Sequence, residues 1–164
     1  MPDIEKCRRI YEAAFGACPE FDSLLFERYS EYCITSQSSD AMLFLLPARL
    51  EGLSVTARAY YLYAAATDPA MQGRGEMTGL LKTVLSAADG PIFLKPASSS
   101  LEEFYKKRGF SALKASPVSG NLRLCGLFRE LALLCKPETE EFTMMCSGIS
   151  LPGNSTIRFA DTLE

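Results

Sequence analysis

The sequence predicts an α/β domain of layered type. Three observations support this prediction: two helical stretches near the start of the chain, a strand–loop–helix unit in its middle, and a further strand, helix and strand after that unit. Strands that alternate with helices pack in layers, because each apolar sheet face must be covered by another element. The 164 residues, of which 48% are hydrophobic, suit a single domain over 1–164 with one core.

Two helices are predicted before the sheet. Apolar residues recur with helical spacing in Ile4–Phe15 and in Phe21–Cys33, and the break Gly16–Pro19 separates the two stretches. Asp22 or Ser23 is the predicted N-cap of the second helix, because both side chains accept hydrogen bonds from the first turn.

Two strands are predicted next. The apolar run Ala41–Leu46 is typical of a buried strand, and Pro47 is expected to end it because proline lacks the N–H that a ladder requires. A turn is predicted at Glu51-Gly52. A second strand is predicted over 56–67, where aromatic residues that favour strands are frequent.

The loop after this second strand is the most informative stretch of the chain. Gly73 and Gly75 leave neighbouring backbone N–H groups unshielded, and a helix is predicted directly afterwards. The predicted helix has one apolar face, formed by Met77, Leu80, Leu81, Val84, Leu85 and Ala88. Unpaired donors at a helix start favour a bound phosphate, so the loop is interpreted as a phosphate site. It matches neither the nucleotide P-loop nor the dinucleotide fingerprint, and a plain glycine turn remains open as the alternative.

A second informative segment begins with the short apolar strand after Pro91. A helix of about two turns is predicted beyond it, with Ser99 and Glu102, or Ser100 and Glu103, as a capping box. Gly109 is the predicted C-cap, since it follows three cations at the negative end of the helix dipole: Lys106, Lys107 and Arg108.

Together these two segments resemble the GNAT superfamily of N-acetyltransferases. The resemblance rests on Gln72-Gly-Arg-Gly-Glu-Met77 and on Tyr105-Lys-Lys-Arg-Gly-Phe110, and covers roughly residues 58–112. It implies a layered fold whose central sheet is mixed and mostly antiparallel, is flanked by helices, and contains a parallel strand pair splayed around the cofactor. The chain would then comprise an N-terminal part (1–57), an acetyl-CoA-binding core (58–112) and a C-terminal part (113–164).

The resemblance also implies the cofactor contacts. Acetyl-CoA would be the co-substrate, with its pyrophosphate bound by backbone N–H groups of Gln72, Gly73, Arg74, Gly75, Glu76 and Met77. The strand residues Ala65, Ala66 and Thr67 would pair with its pantetheine arm. Met77 departs from the small residue that the family has there, and Ser98 stands where many relatives carry a cofactor-binding Asn. The Arg74 side chain either neutralises phosphate charge or is a solvated surface group.

The reaction implied by the resemblance is attack of an amine on the acetyl thioester, with Tyr105 as general acid. A phenol is a weaker acid than a thiol by about 1.5 pKa units, or about 2 kcal/mol, so hydrogen bonding to the forming thiolate is its expected contribution. Deprotonating a lysine-like amine at pH 7 costs about 4.6 kcal/mol, which calls for a base. With no histidine in the chain, the base would be a carboxylate, and the sequence does not rank Glu27, Glu31, Glu51 and Glu164.

Composition excludes several other classes of function. The formal net charge is −3 and no dense basic block occurs, which argues against a nucleic-acid binder. The most apolar stretch, Leu122–Cys135, is interrupted by charges, so no membrane span is expected. Without histidine or a C-x-x-C pair no metal site is expected, and without a signal-peptide pattern we expect a cytoplasmic protein with six reduced, mostly buried cysteines.

The C-terminal part allows two interpretations. Residues from Leu124 to Cys135 have helical spacing, whereas Leu122, Leu124 and Glu141–Cys146 also suit strands, and Ile157–Phe159 suits a last strand after a turn at Pro152. Two functions also remain open: an N-acetyltransferase acting on an amine of a small molecule or peptide, and a non-catalytic acyl-CoA-binding module. A homodimer is a further hypothesis. Tyr60, Tyr61 and Tyr63 either shape an acceptor pocket or belong to the core.

Overall fold

The computed structural model describes residues 1–52, 55–126 and 140–160. Their contacts group the chain into two compact units, the first formed by Met1–Leu45 with Leu62–Ala87, and the second by Leu46–Tyr61 with Ala88–Glu164. Helices and a mixed sheet are both present, which confirms the predicted α/β class. The assignment of 1–164 to a single domain stays a prediction.

The first unit carries most of the helices. Its elements are α1 (Ile4–Phe15), α2 (Pro19–Ser23), a π-helical turn (Leu24–Arg28), a 3-10 turn (Ser30–Tyr32), β1 (Cys33–Thr35), the start of β2 (Ala41–Gly52), the end of β3 (Val55–Thr67), a 3-10 turn (Pro69–Met71) and α3 (Glu76–Ala87). β1 and β2 are antiparallel, with Cys33 opposite Phe44. The strand β1 had no counterpart among the sequence predictions.

The second unit carries most of the strands. Besides the end of β2 and the start of β3, it contains β4 (Ile92–Leu94), α4 (Ser99–Lys106), β5 (Ser111–Ser116), β6 (Leu122–Gly126), β7 (Phe142–Ser147) and β8 (Thr156–Ala160). β4 is parallel to β3 and antiparallel to β7, which also pairs with β5. The predicted parallel strand pair is therefore present in a mixed sheet.

The predicted first helix is confirmed at both ends. The Asp3 side chain accepts a hydrogen bond from the Lys6 N–H at 3.1 Å and so caps the first turn of α1. Gly16 follows the last helical residue with a φ of 82°, a left-handed conformation that glycine adopts without steric cost.

The prediction of one continuous helix over Phe21–Cys33 is wrong. The helix begins earlier, at Pro19, whose fixed φ suits the first helical position, and gives way to a π-helical turn after Ser23. Asp22 and Ser23 therefore lie inside α2 and neither is its N-cap. Asp22 instead accepts a hydrogen bond from the Cys18 N–H at 3.3 Å, in front of the helix.

The expected end of the first strand at Pro47 is also wrong. β2 continues through Pro47 to Gly52, which places the predicted Glu51-Gly52 turn inside the strand. Pro47 lies beyond the three β2 residues that pair with β1, so its missing N–H interrupts no pair of that ladder. The strand predicted over 56–67 is confirmed as β3, which begins one residue earlier.

Each unit has apolar packing of its own. In the first unit the Phe26 ring packs edge to face against Tyr11 and Phe44, with ring centroids 5.6 and 5.4 Å apart. The core of the second unit consists of buried strand residues: Ala48, Leu50, Ala59, Phe93, Ala115, Leu122, Leu124, Met144, Cys146 and Ile157. The expectation of mostly buried cysteines is confirmed, since Cys7, Cys33, Cys125 and Cys146 are buried and Cys18 is half-buried.

In the C-terminal part, the strand interpretation is confirmed for the residues that the structure describes. Leu122 and Leu124 lie in β6, Glu141–Cys146 largely in β7, and Ile157–Phe159 in β8. The alternative helix from Leu124 to Cys135 is wrong for its first residues, which lie in β6, and its remainder after Gly126 lies outside the described residues.

Candidate acetyl-CoA site

The end of β3 offers an unpaired backbone edge. Its ladder with β4 consists of two pairs, Tyr60 with Ile92 and Tyr61 with Phe93, whereas β3 itself continues to Thr67. Among the described strands, none pairs with residues 62–67 on this edge. Ala64 has a φ of 54°, and such a left-handed residue kinks a strand and redirects the groups after it, here Ala65, Ala66 and Thr67.

A short turn connects this strand to the predicted phosphate loop. Asp68 caps the 3-10 turn, because its Oδ1 accepts a hydrogen bond from the Ala70 N–H at 2.9 Å and its carbonyl accepts one from the Met71 N–H at 2.8 Å. The Asp68 N–H donates to the Asp40 carbonyl at 2.7 Å, which ties the turn to the start of β2. Asp68, which lies between the strand and the loop, is therefore held at three atoms.

We call residues Gln72–Met77 the phosphate cradle. Gly73 and Gly75 have positive φ angles, of 77° and 81°, whereas the φ of Arg74 between them is not positive. This alternation in the sign of φ is typical of an anion-binding nest. Within the described part of the chain, no group accepts a hydrogen bond from the N–H of any residue from 72 to 77. The cradle therefore presents six unpaired donors.

Helix α3 begins inside the cradle. The Gly75 carbonyl accepts the first helical hydrogen bond, from the Gly79 N–H at 2.9 Å, so the partial positive charge of the helix start lies at Glu76 and Met77. Met77 is half-buried in the first turn and the helix forms without a break, so this departure from the family pattern does not disturb the local backbone.

Next to the cradle lies a cavity of about 710 Å³, lined by the turn between β1 and β2 and by one face of α3. The Ser38 hydroxyl in this turn donates a hydrogen bond to Glu76 Oε2 at 2.6 Å. Lys6 forms an ion pair with Asp40 at 2.6 Å. Helix α1, the turn and the start of α3 are thus linked by polar contacts.

Arg74 is exposed in the cradle and close enough to affect Asp40. The Lys6 hydrogen bond is the main reason that the pKa of the Asp40 carboxyl is below its usual value, and Ser38 and the charge of Arg74 act in the same direction. The guanidinium thus adds positive charge to the part of the first unit that contains Asp40.

The second predicted motif forms a Schellman cap at the end of α4. The Phe110 N–H donates to the Tyr105 carbonyl at 3.2 Å and the Gly109 N–H donates to the Lys106 carbonyl at 3.2 Å, with a φ of 92° at Gly109. The Tyr105 and Phe110 rings, 5.5 Å apart, supply the apolar contact that accompanies this cap. The Tyr-x-x-x-Gly-Phe pattern is thus explained locally, and the cap fixes where the Tyr105 side chain leaves the helix.

Tyr105 is 7% exposed, and its hydroxyl has no hydrogen-bond partner among the described residues. Burial raises the pKa of its phenol, and the nearby Arg108 charge offsets part of this effect. The Phe104 ring packs against Tyr105 at 5.3 Å. The phenol is therefore a protonated hydrogen-bond donor at neutral pH.

The N-cap of α4 differs from the prediction. Ser98, not Ser99 or Ser100, accepts the capping hydrogen bond, from the Leu101 N–H at 3.2 Å, because the helix starts at Ser99. The predicted capping boxes are therefore wrong. The Ser98 hydroxyl also lies 3.0 Å from that of Ser100, so it already has intramolecular partners. Its role toward a cofactor stays a prediction.

The three tyrosines of β3 have separate surroundings. Tyr60 donates a hydrogen bond to Asp89, which also pairs with Arg58. Tyr61 packs against Phe159 at 5.3 Å. Tyr63 forms a hydrogen bond with the Tyr11 hydroxyl. Only Tyr63 belongs to the same unit as the cradle, and it directly precedes the kink at Ala64.

Three of the four carboxylates named as possible bases lie in the residues that the structure describes. Glu27 and Glu31 are exposed, Glu51 forms ion pairs with Arg49 at 2.6 Å and Arg123 at 3.6 Å, and Glu164 lies outside the described residues. Asp22, predicted from the sequence as a possible helix cap, is not among those candidates for the base. Asp22 is 2% exposed and its Oδ1 has no partner among the described residues, a combination that the sequence alone does not reveal.

Comparison with solved structures identifies the fold. A GCN5-related N-acetyltransferase from Kribbella flavida aligns with a TM-score of 0.58 and 14% identity over 68% of this chain. The ribosomal-protein-S18-alanine N-acetyltransferase of Escherichia coli aligns with a TM-score of 0.54 and 15% identity, over 92% of this chain and 90% of its own. A GNAT-family acetyltransferase from Staphylococcus aureus aligns with a TM-score of 0.54 and 12% identity, over 90% and 93%.

This chain has the GNAT fold. It spans 31% of the length of the Kribbella flavida protein and 33% of that of a related structure from Enterococcus faecalis, so it corresponds to about a third of each. No protein-family model and no curated protein sequence matches it. The predicted fold class is confirmed by these structures together with the mixed sheet.

Two absences concern the residues that the structure describes. No helix there is long and apolar enough to cross a membrane. No group of three or more Cys, Asp or Glu side chains is arranged to hold a metal ion in the same residues.

Proposed function

We propose that this GNAT-fold chain is an N-acetyltransferase that moves an acetyl group from acetyl-CoA to a primary amine of a small molecule or peptide. The observation that carries the proposal is the row of six unpaired N–H groups in the phosphate cradle at the start of α3. Unpaired backbone donors and a helix dipole together favour an anion such as the diphosphate of coenzyme A. The fold comparison supports the same cofactor.

The cradle residues fit a diphosphate. A β-carbon placed on Gly73 or Gly75 would meet no heavy atom within 4 Å, so the space in front of both residues is open. Gln72, Gly73, Arg74, Gly75, Glu76 and Met77 would hold the diphosphate, and the free edge of Ala65, Ala66 and Thr67 would pair with the pantetheine amides. Acetyl-CoA, when bound, supplies the activated acyl group.

Tyr105 is the proposed acid. Its phenol stays protonated because burial raises its pKa, and its hydroxyl has no other partner in the described residues. A donor whose hydrogen bond strengthens as sulfur gains negative charge stabilises the transition state, in which the C–S bond breaks. The Schellman cap fixes the backbone from which this side chain projects, and the packing of its ring against Phe104 and Phe110 restrains it.

Calorimetry with acetyl-CoA is the test. We expect binding that is weakened by salt, because phosphate contacts are electrostatic, and release of free thiol when amines are added. Binding without thiol release across small and peptide amines would instead indicate an acyl-CoA-binding module. Absence of binding would refute the proposal. The cytoplasmic location and the homodimer stay predictions.

A further inference from the structure

The first unit contains a buried carboxylate that the proposed cofactor site does not use. Asp22 is 2% exposed. Its Oδ2 accepts a hydrogen bond from the Cys18 N–H at 3.3 Å, whereas its Oδ1 has no partner among the described residues. An unpaired buried carboxylate oxygen costs free energy, so its presence in a folded protein calls for a specific explanation, of which a bound ligand is one.

Tyr11 is affected by the charge of this carboxylate, and Tyr63 is hydrogen-bonded to Tyr11. Tyr11 is 5% exposed and its ring is held by Phe15 and Phe26, at centroid distances of 5.1 and 5.6 Å. The pKa of Tyr11 is raised, mainly by burial. The hydrogen bond with Tyr63 lowers this pKa, and the charge of Asp22 raises it further. Asp22 is therefore near enough to Tyr11 to act on its hydroxyl electrostatically.

Tyr63 connects this buried pair to the end of β3. It is only half-buried, and it stands directly before the kink at Ala64. The next residues, Ala65–Thr67, form the edge proposed for the pantetheine arm. The buried Asp22 carboxylate is thus connected, through the Tyr11 and Tyr63 hydroxyls, to a partly accessible position beside that edge.

We infer that Asp22, Tyr11 and Tyr63 form the subsite for the ammonium group of the acceptor, and that the acceptors are cationic aliphatic amines. This inference rests on the proposed function. At pH 7 more than about 99.9% of such an amine is protonated, so the form to be recognised is the cation. The Tyr63 oxygen accepts a hydrogen bond from it, and the Asp22 charge offsets the positive charge. Asp22 and Tyr11 are then positioning residues.

Binding of simple probes tests the subsite without any turnover. Phenethylammonium and its neutral counterpart 2-phenylethanol are titrated into the protein, alone and with coenzyme A. We expect at least a tenfold preference for the cation. Asp22→Asn should remove this preference while keeping an oxygen for the Cys18 N–H, and Tyr63→Phe should weaken cation binding even if Asp22→Asn fails to fold. Glu20→Gln, the same charge change at an exposed position of α2, should leave the preference intact.

Turnover with acetyl-CoA gives a second readout. Asp22→Asn should raise KM at least tenfold for aliphatic amines, with kcat and acetyl-CoA affinity little changed, and should leave an aniline, neutral at pH 7, unaffected. Three results would overturn the subsite. The first is an equal rise in KM for aliphatic amines and for the aniline in Asp22→Asn, and the second is a cation preference that this variant keeps. The third is the absence of any cation preference in the unmodified protein. Failure of acetyl-CoA to bind would refute the proposed function alone, because the probe titration does not need the cofactor.

Discussion

The phosphate cradle can be tested with a single methyl group. Gly75 has a φ of 81°, and a β-carbon there would meet no heavy atom within 4 Å. Gly75→Ala therefore introduces no steric clash in the free protein. Its cost comes from the left-handed backbone conformation, about 1–2 kcal/mol for an L-residue with a side chain.

This cost translates into affinity for acetyl-CoA. If the substituted loop relaxes to a negative φ, the N–H groups of the cradle lose their shared direction, and binding must restore it. An energy of about 1–2 kcal/mol corresponds to about 5- to 30-fold weaker binding. The new methyl also occupies the open space proposed for the diphosphate, so this range is a lower bound.

The assay is calorimetric titration of acetyl-CoA into the variant and into a matched control. Gly79→Ala adds the same methyl one turn later in α3, where nothing lies within 4 Å and φ is ordinary. Alanine favours a helix over glycine by up to about 1 kcal/mol, so this control should bind normally and melt slightly higher. Wild-type affinity in Gly75→Ala would refute the role of the cradle.

Three further predictions follow from the structure. Tyr105→Phe should lower kcat about 10- to 1000-fold and leave acetyl-CoA affinity unchanged; the loss is smaller than the roughly 100- to 10,000-fold of full acid–base catalysis because the expected contribution is a hydrogen bond. Unchanged turnover would remove Tyr105 from the mechanism. Gly109→Ala, at a φ of 92°, should cost about 1–2 kcal/mol of stability, measured by denaturant unfolding, and an unaltered midpoint would argue against the Schellman cap. The pKa of Asp40 is lowered, chiefly by Lys6, so this pair stabilises the fold above pH 3.8 and the benefit disappears as pH falls through the lowered pKa. The melting-temperature difference between the wild type and Asp40→Asn should therefore shrink in acid, and a difference that is constant down to about pH 2 would contradict this.

Much of the site could be predicted because its signals are local. The helical spacing in Ile4–Phe15, the glycines of the cradle and the Tyr105–Phe110 pattern each depend on contacts within a few residues, and all three form as expected. Predictions failed where residues distant in sequence determine whether a strand or helix continues. Pro47 is tolerated in β2 because of where the ladder with β1 ends, which no property of the β2 residues discloses.

By itself, the sequence determined the α/β class, the glycine loop before α3 and the capped helix that carries Tyr105, because propensity, capping and positive φ are properties of short segments. The tertiary structure decided which polar groups lack partners. Among the described residues, it leaves six N–H groups of the cradle and one oxygen of Asp22 unpaired, and it joins Tyr11 to Tyr63 across 52 positions of the chain. A hydrogen bond between distant residues depends on how the helices pack against the strands, so its presence or absence becomes visible only once the chain is folded.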